Sequence, residues 1–259
     1  MPLKIFITGA SSGIGAEIAR QYSLLNRDNV IGLIGRNKTK LSKLHKQLGC
    51  KSLPIVADVS DFNSIETAAQ IFLSEYGLPD IVIANAGVSS GTLLQNKDDI
   101  EVIEKMFKIN FHGVVNTFHP FVSSFMKQKS GHLVAIASVA GIRGLPGAGA
   151  YSASKAALIN YMESIRVELL KNNVKVTTIS PGYIKSPMTD VNSYYMPFIL
   201  DTDIAAKKII KFISKNKRHV IFPWQMALLG RIMHILPNIV WDFLAKNAPH
   251  KKRNTRNTL

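Results

Sequence analysis

Ser138, Tyr151 and Lys155 are the residue types, at the spacing, that could carry proton-transfer chemistry on an oxygen. They lie in S-V-A-G-I-R-G-L-P-G-A-G-A-Y-S-A-S-K, residues 138 to 155. A hydroxyl ends an apolar run, a glycine-rich loop follows, and a phenol and an ammonium then stand four residues apart. If Tyr151 begins a helix, that spacing puts Tyr151 and Lys155 on one face, a turn apart. A free phenol titrates near about 10 and is a poor acid or base at neutrality. A neighbouring ammonium favours the phenolate and draws the group towards a useful range. Ser138 would hold a carbonyl oxygen in front of the phenol. Y-x-x-x-K by itself also describes an ordinary pair on a helix face, so its meaning depends on the elements that position it.

Those elements read as alternating strands and helices. Lys4 to Thr8 is a short apolar strand that runs into Gly9-Ala10-Ser11-Ser12-Gly13-Ile14-Gly15 and then a helical pattern to about Leu25. Strand, glycine loop and helix in succession form a phosphate-binding context: glycines let the backbone approach a pyrophosphate, and the helix N-terminus supplies amide donors. Further strands are read at 30–34, 52–57, 80–84, 133–137, 174–180 and 219–222. Helices are read at 39–48, 65–75, 100–127, 151–170 and 201–215. This order argues for α/β architecture, a doubly wound, Rossmann-like parallel sheet of about seven strands covered on both faces. Right-handed crossovers bring the strand C-termini to one edge, where open sheets bind ligands. Gly9 to Gly15, Arg36, Asp58-Val59, Asn85-Ala86-Gly87, Ser138 and Pro181-Gly182 all follow strands and converge there.

Several of these positions carry their own chemistry. The second strand ends in Gly35-Arg36 where NAD-selective folds place an acid for the adenosine ribose. A guanidinium there can bond a 2′-phosphate bidentately, which indicates NADP(H). Asp58 either caps the next helix or bonds the adenine amino group. Asn85 either contacts the cofactor or bridges neighbouring strands. Asn110 lies inside a helical region that its amide does not favour, and marks a kink or a bound water; Pro120 follows as a second kink candidate. Residues 183–200 lack a steady period and read as an apolar, aromatic lid. The loop from Gly141 to Gly149 and Ser89-Ser90 should line the pocket, with Arg143 as its charged exception.

In this order and in these elements, the motifs T-G-A-S-S-G-I-G (Thr8 to Gly15), Asn85-Ala86-Gly87, Asn110, Ser138, Y-S-A-S-K (Tyr151 to Lys155) and Pro181-Gly182 resemble the short-chain dehydrogenase/reductase family in its compact, single-domain form. The resemblance covers residues 3 to 222. It implies hydride transfer between a nicotinamide and a carbonyl carbon without a metal. Tyr151 would be the general acid or base, Lys155 would bond the nicotinamide ribose, Ser138 would polarise the substrate oxygen, and Asn110 would hold a water that resupplies protons. Gly9, Ser11, Ser12, Gly13, Ile14, Gly15, Arg36, Asp58, Val59, Asn85, Ala86, Gly87, Tyr151, Lys155, Pro181, Gly182, Ile184 and Ser186 would bind the cofactor. Ala84 stands where the family often has a first asparagine, and Ser186 where it favours threonine. The family also implies a homodimer or homotetramer. A rival from another class is an NADP(H)-binding sensor or scaffold that keeps the fold without turnover; the intact Asn110, Ser138, Tyr151 and Lys155 set favours the enzyme.

The bulk numbers bound the rest. The 259 residues, 46 % of them hydrophobic, suit one sizeable domain. Cys50 is the single cysteine, so neither an intramolecular disulfide nor a cysteine metal cluster is expected, and a reducing, cytoplasmic setting fits. The run Leu3 to Ile7 is too short for a secretory leader, and no apolar stretch is long enough to span a bilayer. The formal charge of +15 suggests an anionic partner. The scattered lysines argue against nucleic acid. After a domain at 1–223, residues 224–245 form an apolar extension interrupted at Arg231, His234, Pro237 and Asp242. Two helices flanking Pro237 would either pack over the pocket or a subunit interface, or lie in a membrane interface as peripheral contacts. A basic tail, 246–259, containing Lys251-Lys252-Arg253 and Arg256, is expected to be disordered. The expected substrate is a carbonyl or alcohol of apolar, lipid-like character.

Overall fold

The computed structural model describes residues 1–253. Seven parallel strands form one sheet in the order β3-β2-β1-β4-β5-β6-β7. They are β1 (Lys4–Thr8), β2 (Val30–Gly35), β3 (Lys51–Val56), β4 (Ile81–Ala84), β5 (His132–Ile136), β6 (Lys175–Pro181) and β7 (His219–Phe222). The register is unbroken: Ile5 faces Ile31 of β2 on one side and Ile81 of β4 on the other. The strands are short and rich in β-branched residues because both faces are covered, so no polar alternation is needed.

Successive side chains of β1 go to opposite faces, as strand geometry requires. Ile5 and Ile7 join Ile83 and Val134 under α1 (Gly13–Leu25), α2 (Lys38–Gln47) and α7 (Thr202–Ser214). Phe6 joins Val82 and Leu133 under α3 (Phe62–Tyr76), α5 (Gly113–Gln128) and α6 (Gly149–Glu168). Phe6 meets Phe72 and Phe121 edge-on, with ring centroids 5.6 and 5.0 Å apart. The result is the three-layer, doubly wound arrangement the alternation of elements predicts.

Two local departures fall near the site. The long helix expected over 100–127 is divided into α4 (Asp99–Phe107), a π-helical turn (Lys108–His112) and α5. The irregular turn carries Asn110, so Asn110 and not Pro120 marks the break. A 3₁₀ turn, Val139–Gly141, follows Ser138 directly. Beyond β7, α8 (Trp224–Ile235) and α9 (Asn238–Ala245) flank Pro237 as expected. No helix among the described residues is long and apolar enough to cross a membrane.

One buried histidine ties the sheet to pH. His132 opens β5 and is 5 % exposed. Its Nε2 lies 2.8 Å from Thr177 Oγ1, and that hydroxyl donates to the Lys217 carbonyl. Thr177 therefore accepts, and Nε2 must carry the hydrogen. Burial first, and the charge of Lys175 second, pull the imidazole down from 6.5 to about 4. Below about pH 6.5 the unfolded chain takes up a proton that the folded chain refuses, so stability falls as pH drops towards 4. Between pH 7 and pH 5 the loss should be about 2 kcal/mol. Urea denaturation at both pH values should show this drop in the wild type and a much smaller one in His132→Gln.

Candidate active site

The strand order reverses between β1 and β4, and the sheet opens there at its C-terminal edge. Asn85, the residue after β4, spans the opening. Its Nδ2 donates to the Thr8 and Gly9 carbonyls at 3.1 and 3.2 Å, and its N–H donates to Thr8 Oγ1 at 3.2 Å. Asn85 is thus the strand bridge, and it also lines the cleft. Gly9 has φ +68°, and a Cβ there would come within 2.8 Å of Ala86 Cα. Only a residue without a side chain fits that turn. A Cβ on Gly15 would overlap the Asn85 amide and the Gly9 carbonyl. Gly15 therefore packs behind the loop, while Gly9, Ser11, Ser12, Gly13 and Ile14 line the cleft.

A single cleft of about 580 Å³ runs from this loop to the residues that could do chemistry. Asp58, Val59, Ala86, Gly87, Ser138, Tyr151, Lys155, Pro181, Gly182, Ile184 and Ser186 all line it, as the sequence predicts. Tyr151 and Lys155 lie in the first two turns of α6, which begins at Gly149. Lys155 is 4 % exposed, and its Nζ donates to the Ile136 carbonyl at 2.9 Å. Burial lowers that ammonium to about 8. Burial likewise pushes the Tyr151 phenol up; the adjacent Ser138 hydroxyl opposes this, and Tyr183 adds to it. This direction is opposite to the one expected from the Tyr–Lys spacing. The reason is physical: desolvation dominates, and Lys155 is directed to a backbone carbonyl.

Asn110 does not reach the cleft. It is fully buried, accepts from Val88 N–H at 2.8 Å, and donates to Val88 O and Ser154 Oγ at 2.9 and 3.0 Å. Both amide hydrogens are committed, so the side chain clamps the loop residue Val88, next to Gly87, onto α6. A Cβ on Gly87 would stand 3.2 Å from Asn110 Oδ1 and 3.5 Å from Lys155 Nζ, which keeps Asn110 next to the lysine. The π turn is what aims it there.

At the other end, Arg36 pairs with Asp58 at 3.8 Å. Asp58 does not cap α3. That task falls to Asp61, which accepts from Asn63 N–H, while Asp58 Oδ1 accepts from Ser60. A smaller cavity of about 210 Å³ adjoins Ser11 and is lined by Arg20, Lys40 and Lys43, with no acid among its lining residues. Arg20 is paired with Glu17 at 3.2 Å, so Lys40 and Lys43 are the cations this cavity brings beside Ser11. The sequence showed α2 as rich in lysine but not which lysines turn to the loop.

Comparison with known proteins fixes the family. The short chain dehydrogenase family model matches residues 4–194. The chain belongs to the short-chain dehydrogenase/reductase family. An uncharacterized oxidoreductase of Myxococcus xanthus is 36 % identical over 243 residues, covering 93 % of this chain and 95 % of that protein. Among solved structures, a short-chain dehydrogenase/reductase from Burkholderia phymatum in complex with NAD superposes with a TM-score of 0.80. It is 21 % identical and covers 100 % of this chain and 98 % of that one. An alcohol dehydrogenase from Thermococcus sibiricus complexed with 5-hydroxy-NADP gives 0.74 at 23 % identity, covering 86 % and 96 %. This chain is an oxidoreductase of the short-chain family.

The end of the cleft beside Ser138 and Tyr151 is built from three loops. Val88 and Ser89 come from the first, Leu145 and Ala148 from the second, and Tyr183, Met188 and Tyr194 from the lid. The lid has no regular structure, and its neck is closed by the Ile184–Leu200 bridge, with Leu200 N–H donating to Tyr183 O at 3.0 Å. Arg143 is not in the cleft. Its Nη1 donates to the Met233 and Leu236 carbonyls, each at 2.7 Å, its Nη2 to Asn238 Oδ1, and it stacks 5.1 Å from the Trp241 ring. It caps α8 and holds the C-terminal extension against the domain. Residues 246–253, expected to be disordered, instead run back to the cleft, and Lys251 lines it. Arg256 lies outside the described residues.

Proposed function

We propose that this chain catalyses NADPH-dependent reduction of a ketone or aldehyde, or the reverse oxidation of an alcohol, on an apolar, lipid-like substrate. The observation that carries the reading is one continuous cleft joining the glycine loop and Arg36 at one end to Ser138, Tyr151 and Lys155 at the other. The residues fit a nicotinamide dinucleotide. Gly9, at φ +68°, turns the loop against Ala86 so that Ser11, Ser12 and Gly13 line the cleft, and helix α1 opens at Gly13 directly behind it. Arg36, with Lys40 and Lys43 near, supplies the positive charge that a 2′-phosphate requires. When bound, the nicotinamide supplies or accepts the hydride.

The chain's own residues supply position and the proton. Ser138 Oγ is fixed by accepting the Ala140 N–H at 3.2 Å, and its hydroxyl, bonded to the Tyr151 oxygen in this structure, would turn its hydrogen to a substrate oxygen. Tyr151, held protonated by burial, is in the form that donates a proton to the carbonyl oxygen as that oxygen becomes a hydroxyl. Lys155 would hold the nicotinamide ribose, and Asn110 would keep Lys155 in reach of the water that returns the proton. The Val88, Leu145, Tyr183 and Tyr194 surfaces exclude water and favour apolar substrates. A panel of ketones and aldehydes followed by NADPH absorbance tests this. Tyr151→Phe should lose about 10²- to 10⁴-fold in kcat/KM with cooperative unfolding retained. Wild-type rates in that variant, or tighter binding of NADH than NADPH, would overturn the assignment.

We further infer that α8 and α9 dock peripherally on an anionic bilayer. Ile235, Ile239 and Phe243 are 78 %, 84 % and 69 % exposed, and the Lys246 ammonium lies 4.7 Å from the centre of the Phe243 ring. Co-sedimentation with phosphatidylserine-containing vesicles should fall several-fold in Ile239→Glu/Phe243→Glu. Equal sedimentation of the two proteins would refute the contact.

A further inference from the structure

The return of the tail to the cleft has chemical content. Gly91 N–H donates to Lys252 O at 3.0 Å, and Gly91 and Arg253 form a parallel bridge. Neighbouring Thr92 bridges Ala148, so the 89–93 and 144–148 loops and the tail make one wall. Gly147, at φ +70°, lies so close to His250 that a Cβ there would come within 2.7 Å of His250 Cβ. The anchor is an ion pair. The Arg253 guanidinium donates to both oxygens of Asp99, at 2.9 and 3.0 Å. Asp99 is 3 % exposed and also accepts Leu93 N–H at 2.7 Å. Arg253 holds that carboxyl below the usual carboxylate range. Without the arginine, Asp99 would be a buried charge left with only the Leu93 N–H and the Asn96 side chain, which is costly.

This anchor sets Lys251 into the substrate end of the cleft, with Nζ 6.0 Å from the centre of the Tyr151 ring. Among the described residues lining the cleft, the sole carboxylate is Asp58, at the opposite end and already paired with Arg36. The other groups around that end are apolar side chains, tyrosines, neutral hydroxyls and amides, and the Lys155 ammonium, none of them an anion. A partly buried ammonium therefore faces the reacting position with no carboxylate beside it among the described residues lining the cleft. Burial lowers it to about 8, so it carries its charge at neutrality. An anionic group brought by the substrate would supply the missing partner and would be stronger there than in water.

Resting on the reading of this cleft as a carbonyl site, we propose that Lys251 is a specificity-determining residue selecting carbonyl substrates that carry a carboxylate or phosphate a few bonds from the reacting carbon. The substrate class is thus an amphiphile, with its apolar chain against Val88, Leu145 and Tyr194 and its anionic group on Lys251. Acid–base chemistry stays with Tyr151; Lys251 acts on recognition.

The test compares a 4-oxo fatty acid, its methyl ester and the matched keto-alkyl phosphate, by turnover and by calorimetric binding to the NADP⁺-loaded protein. In the wild type the acid or the phosphate should exceed the ester at least tenfold in kcat/KM and in affinity, and the larger ratio identifies the anion. That ratio should fall tenfold or more in Lys251→Met, persist in Lys251→Arg, and be unmoved in Lys252→Met, a solvent-exposed neighbour. It should also decline as pH rises through about 8, whereas titration of Tyr151 affects acid and ester alike and cancels. No anion preference in the wild type, or the same preference in Lys251→Met, overturns the proposal. Discrimination in binding with no turnover of any substrate would leave the Lys251 assignment standing and sink the reductase reading instead.

Discussion

The structure depends on holding β1 and β4 side by side at the point where strand order reverses. Elsewhere in the sheet, neighbouring strands are tied by parallel ladders and covered by helices. At this point the chain leaves both strands in tight turns and the ladder ends. Asn85 replaces it, donating to the Thr8 and Gly9 carbonyls and to Thr8 Oγ1. Because Gly9 and Gly15 lack side chains, the Asn85 amide can sit against them, and the glycine loop is held open towards the cleft. The same bridge sets Ala86 and Gly87, and Val88 is then locked to Asn110. The line from the glycine loop to α6 is thus one chain of backbone and amide contacts, intolerant of added volume at Gly9 and Gly15.

Upon that frame the chemistry is governed by desolvation. Burial pushes the phenol of Tyr151 up and the ammonium groups of Lys155 and Lys251 down. These directions all penalise charge, so the cleft is tuned to gain from ligands that bring opposite charge with them. An anionic substrate group at the Lys251 end would relieve part of that penalty. The net charge of +15 is consistent with such a polarised cleft, although most of its cations are solvated.

Much of the frame was legible in the sequence because it is local. Apolar runs such as K-I-F-I-T and V-I-G-L-I-G are short and β-branched, and each ends in a loop with glycine or a hydroxyl. That pattern places the seven strands, and with them the convergence of Gly9, Arg36, Asp58, Asn85, Ser138 and Gly182. What was not legible is what depends on distant partners. Arg143 looks like a pocket cation from its loop, but its partners, Met233, Leu236 and Asn238, lie 90 or more residues away. Asp99 and Arg253 are 154 residues apart, and a basic run at a chain end has the composition of a solvated tail. The π turn at Asn110 is set by Val88 and Ser154, not by helix propensity; the asparagine signalled the break without its form. Asp61, rather than Asp58, caps α3 because the chain makes one more turn before the helix starts.

The central claim is that this cleft passes hydride between a nicotinamide and a carbonyl carbon, with Tyr151 supplying the proton. Mass spectrometry of the product formed from NADPH deuterated at C4 of the nicotinamide addresses it most directly. The account predicts one deuterium, on the carbinol carbon of the alcohol, in the wild type, and at most a trace of that product from Tyr151→Phe in the same time. A labelled alcohol formed equally well by the variant, or unlabelled product from the wild type with both C4 positions deuterated, would contradict it.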